Sequence, residues 1–168
     1  MELSLDFLKT VAHYKILIYC AIFLMVLVIE KKVTSMTITM IIILLHEYFS
    51  DAIFDELYSI ASNPEILSKY YWYATWVAAE FIAMYLIYYL HLKLKLRVSR
   101  VAYFYSALLL AFSIAQVIDF IDRATFKSDA FATTYQMVIF IGNVVAPFYI
   151  LSVWLRELHL DRITKYKS

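Results

Sequence analysis

The sequence predicts an all-α integral membrane protein, a helical bundle with five transmembrane helices over residues 10–29, 36–57, 70–92, 101–120 and 131–155. Two observations carry this reading. Hydrophobic residues make up 64% of the 168-residue chain, and mean hydropathy is +0.72. The apolar runs also approach or exceed the roughly 20 residues that cross about 30 Å of hydrocarbon at about 1.5 Å per residue. Backbone polar groups cannot stay unpaired in lipid, so the spanning form of such runs is the helix.

The first span has the shortest apolar core, residues 16–29. It reaches full length only if the helix begins near Thr10 and lifts His13 and Lys15 toward the headgroups. Its start, Met1-Glu2-Leu3-Ser4-Leu5-Asp6, is acidic, and Val28-Ile29-Glu30-Lys31-Lys32 offers no small-residue cleavage site. It therefore reads as a retained anchor and not as a signal peptide. A four-span bundle, with this first segment lying in the interface, is the alternative. The third span opens on Tyr70-Tyr71-Trp72-Tyr73 and closes on Tyr85, Tyr88 and Tyr89, the pattern of aromatic belts at both interfaces.

The chain contains one glycine, so no GxxxG contact can form. Close helix approach falls to Ala74/Ala78 and Ala107/Ala111/Ala115. In the fifth span Pro147 cannot bond to the carbonyl of Asn143, and Gly142 and Pro147 together mark an expected hinge. Beyond it, residues 156–168 alternate Leu158, Leu160 and Ile163 with charges, as expected of a tail lying along the cytoplasmic interface. The polar stretches 59–69 and 121–130 are too short to bury cores of their own, so residues 1–168 form one domain.

Basic residues give an expected orientation. Lys31, Lys32, Lys93, Lys95, Arg97, Arg100, Arg156, Arg162, Lys165 and Lys167 fall on one side of the bundle; Lys9, Lys15, Lys69, Arg123 and Lys127 fall on the other. The positive-inside rule then puts the C-terminus in the cytoplasm and the N-terminus outside. With no sorting signal, a bacterial inner (cytoplasmic) membrane is the default location. The net charge of +1 gives no argument for a nucleic-acid partner.

Ionisable groups within spans are costly and mark function or internal pairing. Glu47, Asp51 and Asp55 recur every four residues along one face of the second span, with His46 at its flank. Glu80 lies near the middle of the third span. Ser113, Gln116, Asp119 and Arg123 share a face of the fourth, and Asn143 sits in the fifth. Glu80, Glu47, Asp51, His46, Gln116, Asp119, Arg123 and Asn143 are thus the candidate pathway or polar cluster, facing the outer half of the bilayer.

Reaction chemistry finds little to stand on. No GxSxG, glycine-rich phosphate loop or HExxH motif occurs, and the single cysteine, Cys20, has no partner in the chain. A metal site from His46, Asp51 and Asp119 is conceivable with mixed nitrogen and oxygen ligands. No catalytic residue is assigned, no cofactor is expected, and an enzyme is disfavoured. The expected function is a small ion- or proton-conducting channel or transporter, oligomeric, with the bilayer and either a second copy of itself or another membrane protein as partners. The alternatives are a non-catalytic membrane subunit or scaffold, and a lipid- or quinone-acting membrane enzyme.

Overall fold

A computed structural model describes residues 5–128 and 130–166, with side chains over 13–128 and 130–160. Residues 1–4, Lys167, and the side chains of Lys9, Arg162, Ile163 and Lys165, which entered the sequence reading above, lie outside that description. Five helices run antiparallel to their chain neighbours: α1 Leu5–Glu30, α2 Ser35–Ala61, α3 Ile66–Lys93, α4 Arg100–Ile121 and α5 Ala132–Tyr166. One π-helical turn, Asp122–Phe126, extends α4. Each of the five is long and apolar enough to cross a membrane.

The helices outrun the predicted spans, and at the starts of α2 and α4 side-chain caps set the boundary. Thr34 caps α2 with its hydroxyl on the Thr37 amide, and the Thr37 hydroxyl answers on the Thr34 amide. Ser99 caps α4 through the Ala102 amide at 3.2 Å. The stretch read as a tail from residue 156 continues α5 without a break to Tyr166, and Pro147 lies inside that helix.

With glycine so scarce, three tight turns fall to lysine. Lys31, Lys95 and Lys127 all take left-handed backbone conformations, with φ of 51°, 52° and 49°. Such conformers cost a side-chain-bearing residue about 1 kcal/mol, but a cation just past a helix C-terminus meets the negative end of the helix dipole.

Packing follows a ring. α1 lies against α2 and α5, α3 against α2 and α4, α4 against α5, and α2 meets α4 across the interior. The first helix is therefore part of the bundle: Tyr19, Ile22 and Val26 are buried. The half of the bundle nearer the 31–34 and 94–99 connections, here the basic end, has a largely apolar interior built from Val26, Met40, Ile43, Ile87, Val101, Leu109 and Ile150, with Ser35, Thr39 and His91 also buried there. The surface between the ends is also apolar, with Leu24, Ile82 and Phe148 largely exposed, as suits a protein whose solvent is lipid.

Candidate functional site

Above the apolar half, polar side chains turn inward from all five helices. Depth can be read from the antiparallel register. On α2 and α3, the Ser35–His91 hydrogen bond at one end and the Phe54–Trp72 ring contact toward the other bring Glu47 within about one residue of the level of Glu80. Glu80 is the middle of α3, so both carboxylates lie at mid-span.

Glu80 receives two neutral donors from α4. The Ser113 hydroxyl donates to Oε2 at 2.5 Å and the Gln116 amide to Oε1 at 2.6 Å. Among the described residues no cation pairs with it. Glu47 has the opposite environment: the Lys15 ammonium of α1 lies 2.5 Å from its Oε2. Lys15 also donates to Asn143 Oδ1 of α5 at 2.9 Å. The expectation that Lys15 would reach for headgroups is thereby corrected. A buried carboxylate and an amide at the same depth offer the ammonium more than a long reach to water does, and its side chain is only 12% exposed.

Toward the opposite end, Asp119 is fully buried and receives the Tyr73 hydroxyl and Arg123 Nε on one oxygen, the latter at 3.2 Å. Above it opens a cleft of about 280 Å³ whose lining includes Lys69, Trp72, Tyr73, Arg123 and Tyr135. His46 Nδ1 lies 3.2 Å from the Tyr105 hydroxyl. Among the described residues three buried side-chain atoms are left without a partner: His46 Nε2, Gln116 Oε1 and Asp119 Oδ1.

The predicted cluster therefore divides. Glu47, Glu80, Gln116, Asp119 and Asn143 turn into the bundle, with His46 and Arg123 at partly buried positions, whereas Asp51 and Asp55 are exposed near the end of α2. Among the described residues no three His, Cys, Asp or Glu side chains gather to hold a metal; Asp51 does not join His46 and Asp119. Gly142 serves packing: a Cβ there would lie 2.5 Å from the Phe112 ring, so the glycine lets α5 approach α4. Pro147 is buried.

Sequence reasoning missed Lys15, Tyr73, Tyr105 and the Ser35–His91 pair. A signal existed for two of them. Tyr73, Glu80, Ile87 and His91 recur at spacings of seven and four, one face of α3, and all four are buried. At the basic end His91 Nδ1 lies 2.7 Å from the Ile87 carbonyl, which can only accept. That nitrogen therefore carries a proton, and Nε2 is hydrogen-bonded to the Ser35 hydroxyl at 2.6 Å. Ser35 Oγ in turn accepts the Ser99 amide at 2.8 Å, tying together α2, α3 and the start of α4.

Comparison with protein-family models, with curated proteins and with solved structures finds no match.

Proposed function

We propose that the chain is a proton- or small-cation-handling membrane transporter whose polar belt lies inside a single bundle. The observation that carries this reading is the environment of Glu80: a carboxylate 4% exposed at mid-span, held among the described residues by Ser113 and Gln116. A carboxylate in hydrocarbon without a counter-cation is costly when ionised, so its protonation state can couple to proton movement. Gln116 suits that role. Its amide nitrogen faces the carboxylate while its oxygen has no partner, and a half-turn of the amide would present the oxygen to a protonated Glu80.

The belt meets a largely apolar interior toward the basic end and, toward the other, a cleft that Lys69, Asp119 and Arg123 help to line. That asymmetry favours gated access from one side over a permanently open pore. The inward turn of Glu47, Glu80 and Asp119 favours a path within one protomer over a path at the centre of a homo-oligomer. It also weakens the scaffold reading, which needs polar faces turned toward a partner. With the basic end in the cytoplasm by the positive-inside rule, the cleft would open to the outer face of a bacterial inner membrane.

The deciding experiment measures proton and cation flux into liposomes containing the wild type or Glu80→Gln. Flux that the substitution abolishes, with folding unchanged, is the expected result. Absence of flux in the wild type under an imposed potential of either sign would rule the reading out.

A further inference from the structure

The contacts of Glu80 discriminate between the positive charges it could accept. Glu47, the carboxylate at the same depth, is already met by Lys15, so the charge left open is that of Glu80. The other titratable groups around it are Tyr105 and Tyr135, which interact with it electrostatically. Asp119 lies about one turn beyond Gln116 on α4 and is held by Tyr73 and Arg123.

Space decides against a metal ion. Neighbouring oxygens around an octahedral cation stand about 2.9 Å apart at magnesium distances and about 3.4 Å apart at calcium distances. Sodium needs as much room as calcium, and potassium more. Ser113 Oγ is 2.5 Å from Glu80 Oε2, and Gln116 Nε2 is 2.6 Å from Oε1. Both gaps fit a shared hydrogen and neither fits an ion. Ligand number points the same way, since such cations gather about six oxygens. To the two oxygens of Glu80, Ser113 adds one, and Gln116 presents its nitrogen. Water cannot make up the number at a carboxylate 4% exposed. α3 and α4 run unbroken past this depth, so their carbonyls stay in the helix ladder. The carbonyl that Pro147 frees, that of Asn143, is on α5, where the Asn143 side chain serves Lys15.

A proton needs no such room. It forms an O–H bond on either oxygen of Glu80, and the donor there reverses to receive it. The Ser113 hydroxyl can turn to accept, giving its own hydrogen to the Leu109 carbonyl four residues back, or the Gln116 amide can turn its oxygen inward. Neither change moves the backbone.

We infer that the ion taken up at Glu80 is a proton, and that the site excludes sodium, potassium and divalent cations. The inference rests on the reading above only in taking Glu80 as the place where the ion binds.

The test is infrared spectroscopy of the protein in liposomes, reading the protonated-carboxyl band that the wild type has and Glu80→Gln lacks. That band should fade as pH rises, with the same midpoint in choline chloride as in sodium, potassium or magnesium chloride. A metal ion competing for the site would release the proton and lower the midpoint by about one pH unit per ten-fold rise in its concentration. Such a shift would overturn the proposal, and so would the lack of a Glu80 band at every pH. Proton flux into the same liposomes should be as fast in choline as in sodium. Sodium uptake that Glu80→Gln abolishes would also overturn the proposal. A cation-independent band in a protein that moves no ion would support the proton site and end the transport reading alone.

Discussion

The Lys15 ammonium and the Glu47 carboxylate meet at 2.5 Å in the interior of the bundle, joining its first and second helices. Attraction between them offsets the loss of water only while both are present. Lys15→Met should therefore strand Glu47 and lower stability by about 3–5 kcal/mol, and Glu47→Leu should do the same to Lys15. The double variant should recover most of the loss, because two apolar side chains replace the pair. Unfolding in detergent of the two single variants and the double variant measures this; additive losses would show that the pair is not coupled.

Glu80→Gln should fold almost as well as the wild type. An amide can accept from Gln116 with its oxygen and donate to a reoriented Ser113 hydroxyl, so the change should stay within about 1 kcal/mol. Glu80→Leu should cost about 1–3 kcal/mol, since it strands the Gln116 amide in the interior. Thermal unfolding separates the two, and it makes Glu80→Gln a clean variant for flux measurements.

Gly142→Ala should destabilise. The new methyl would meet the Phe112 ring at 2.5 Å and Leu108 at 3.2 Å, and overpacking of this kind costs about 1–3 kcal/mol. Combining it with Phe112→Leu should restore part of the loss. A Gly142→Ala protein with unchanged melting would mean the ring swings aside freely.

Ser35→Ala removes the hydrogen-bond partner of His91 Nε2 and the acceptor for the Ser99 amide in one step. The buried His91 ring and the part-buried Ser99 amide lose that partner, and a loss of about 1–3 kcal/mol is expected. Ser152→Ala is the matched control: that hydroxyl is exposed and bonds only back to the Phe148 carbonyl, so its loss should be near zero.

Helix number and placement were legible because lipid imposes a length and forbids unpaired backbone, and both constraints act on composition. Helix ends were less legible. The apolar runs stop short of Ala61 and Ser35, where capping by Thr34 and ordinary helix propensity carry the helix further. The shared face of Ser113, Gln116 and Asp119 was readable from spacing, since one helix face follows from periodicity alone. Which groups pair was not. Lys15 and Asn143 lie 128 residues apart, and nothing local distinguishes a lysine that reaches for headgroups from one that turns inward. Asp51 shares a face with Glu47 yet is exposed, because depth along the bundle, and not the face alone, decides whether a neighbouring helix covers it.

The lysine that bonds to both α2 and α5 also sets a timetable for biogenesis. A ribosome making about 5–20 residues per second reaches Asn143 on the order of ten seconds after Lys15, and Glu47 well before that. For most of its synthesis the chain therefore has a first helix whose ammonium is paired on one side and open on the other, along the flank that the fifth helix will cover. Until then the insertion machinery, or water drawn into the groove, must shelter that charge. Chains stalled before α5 should be held longest at the insertase and be the first taken by membrane proteases.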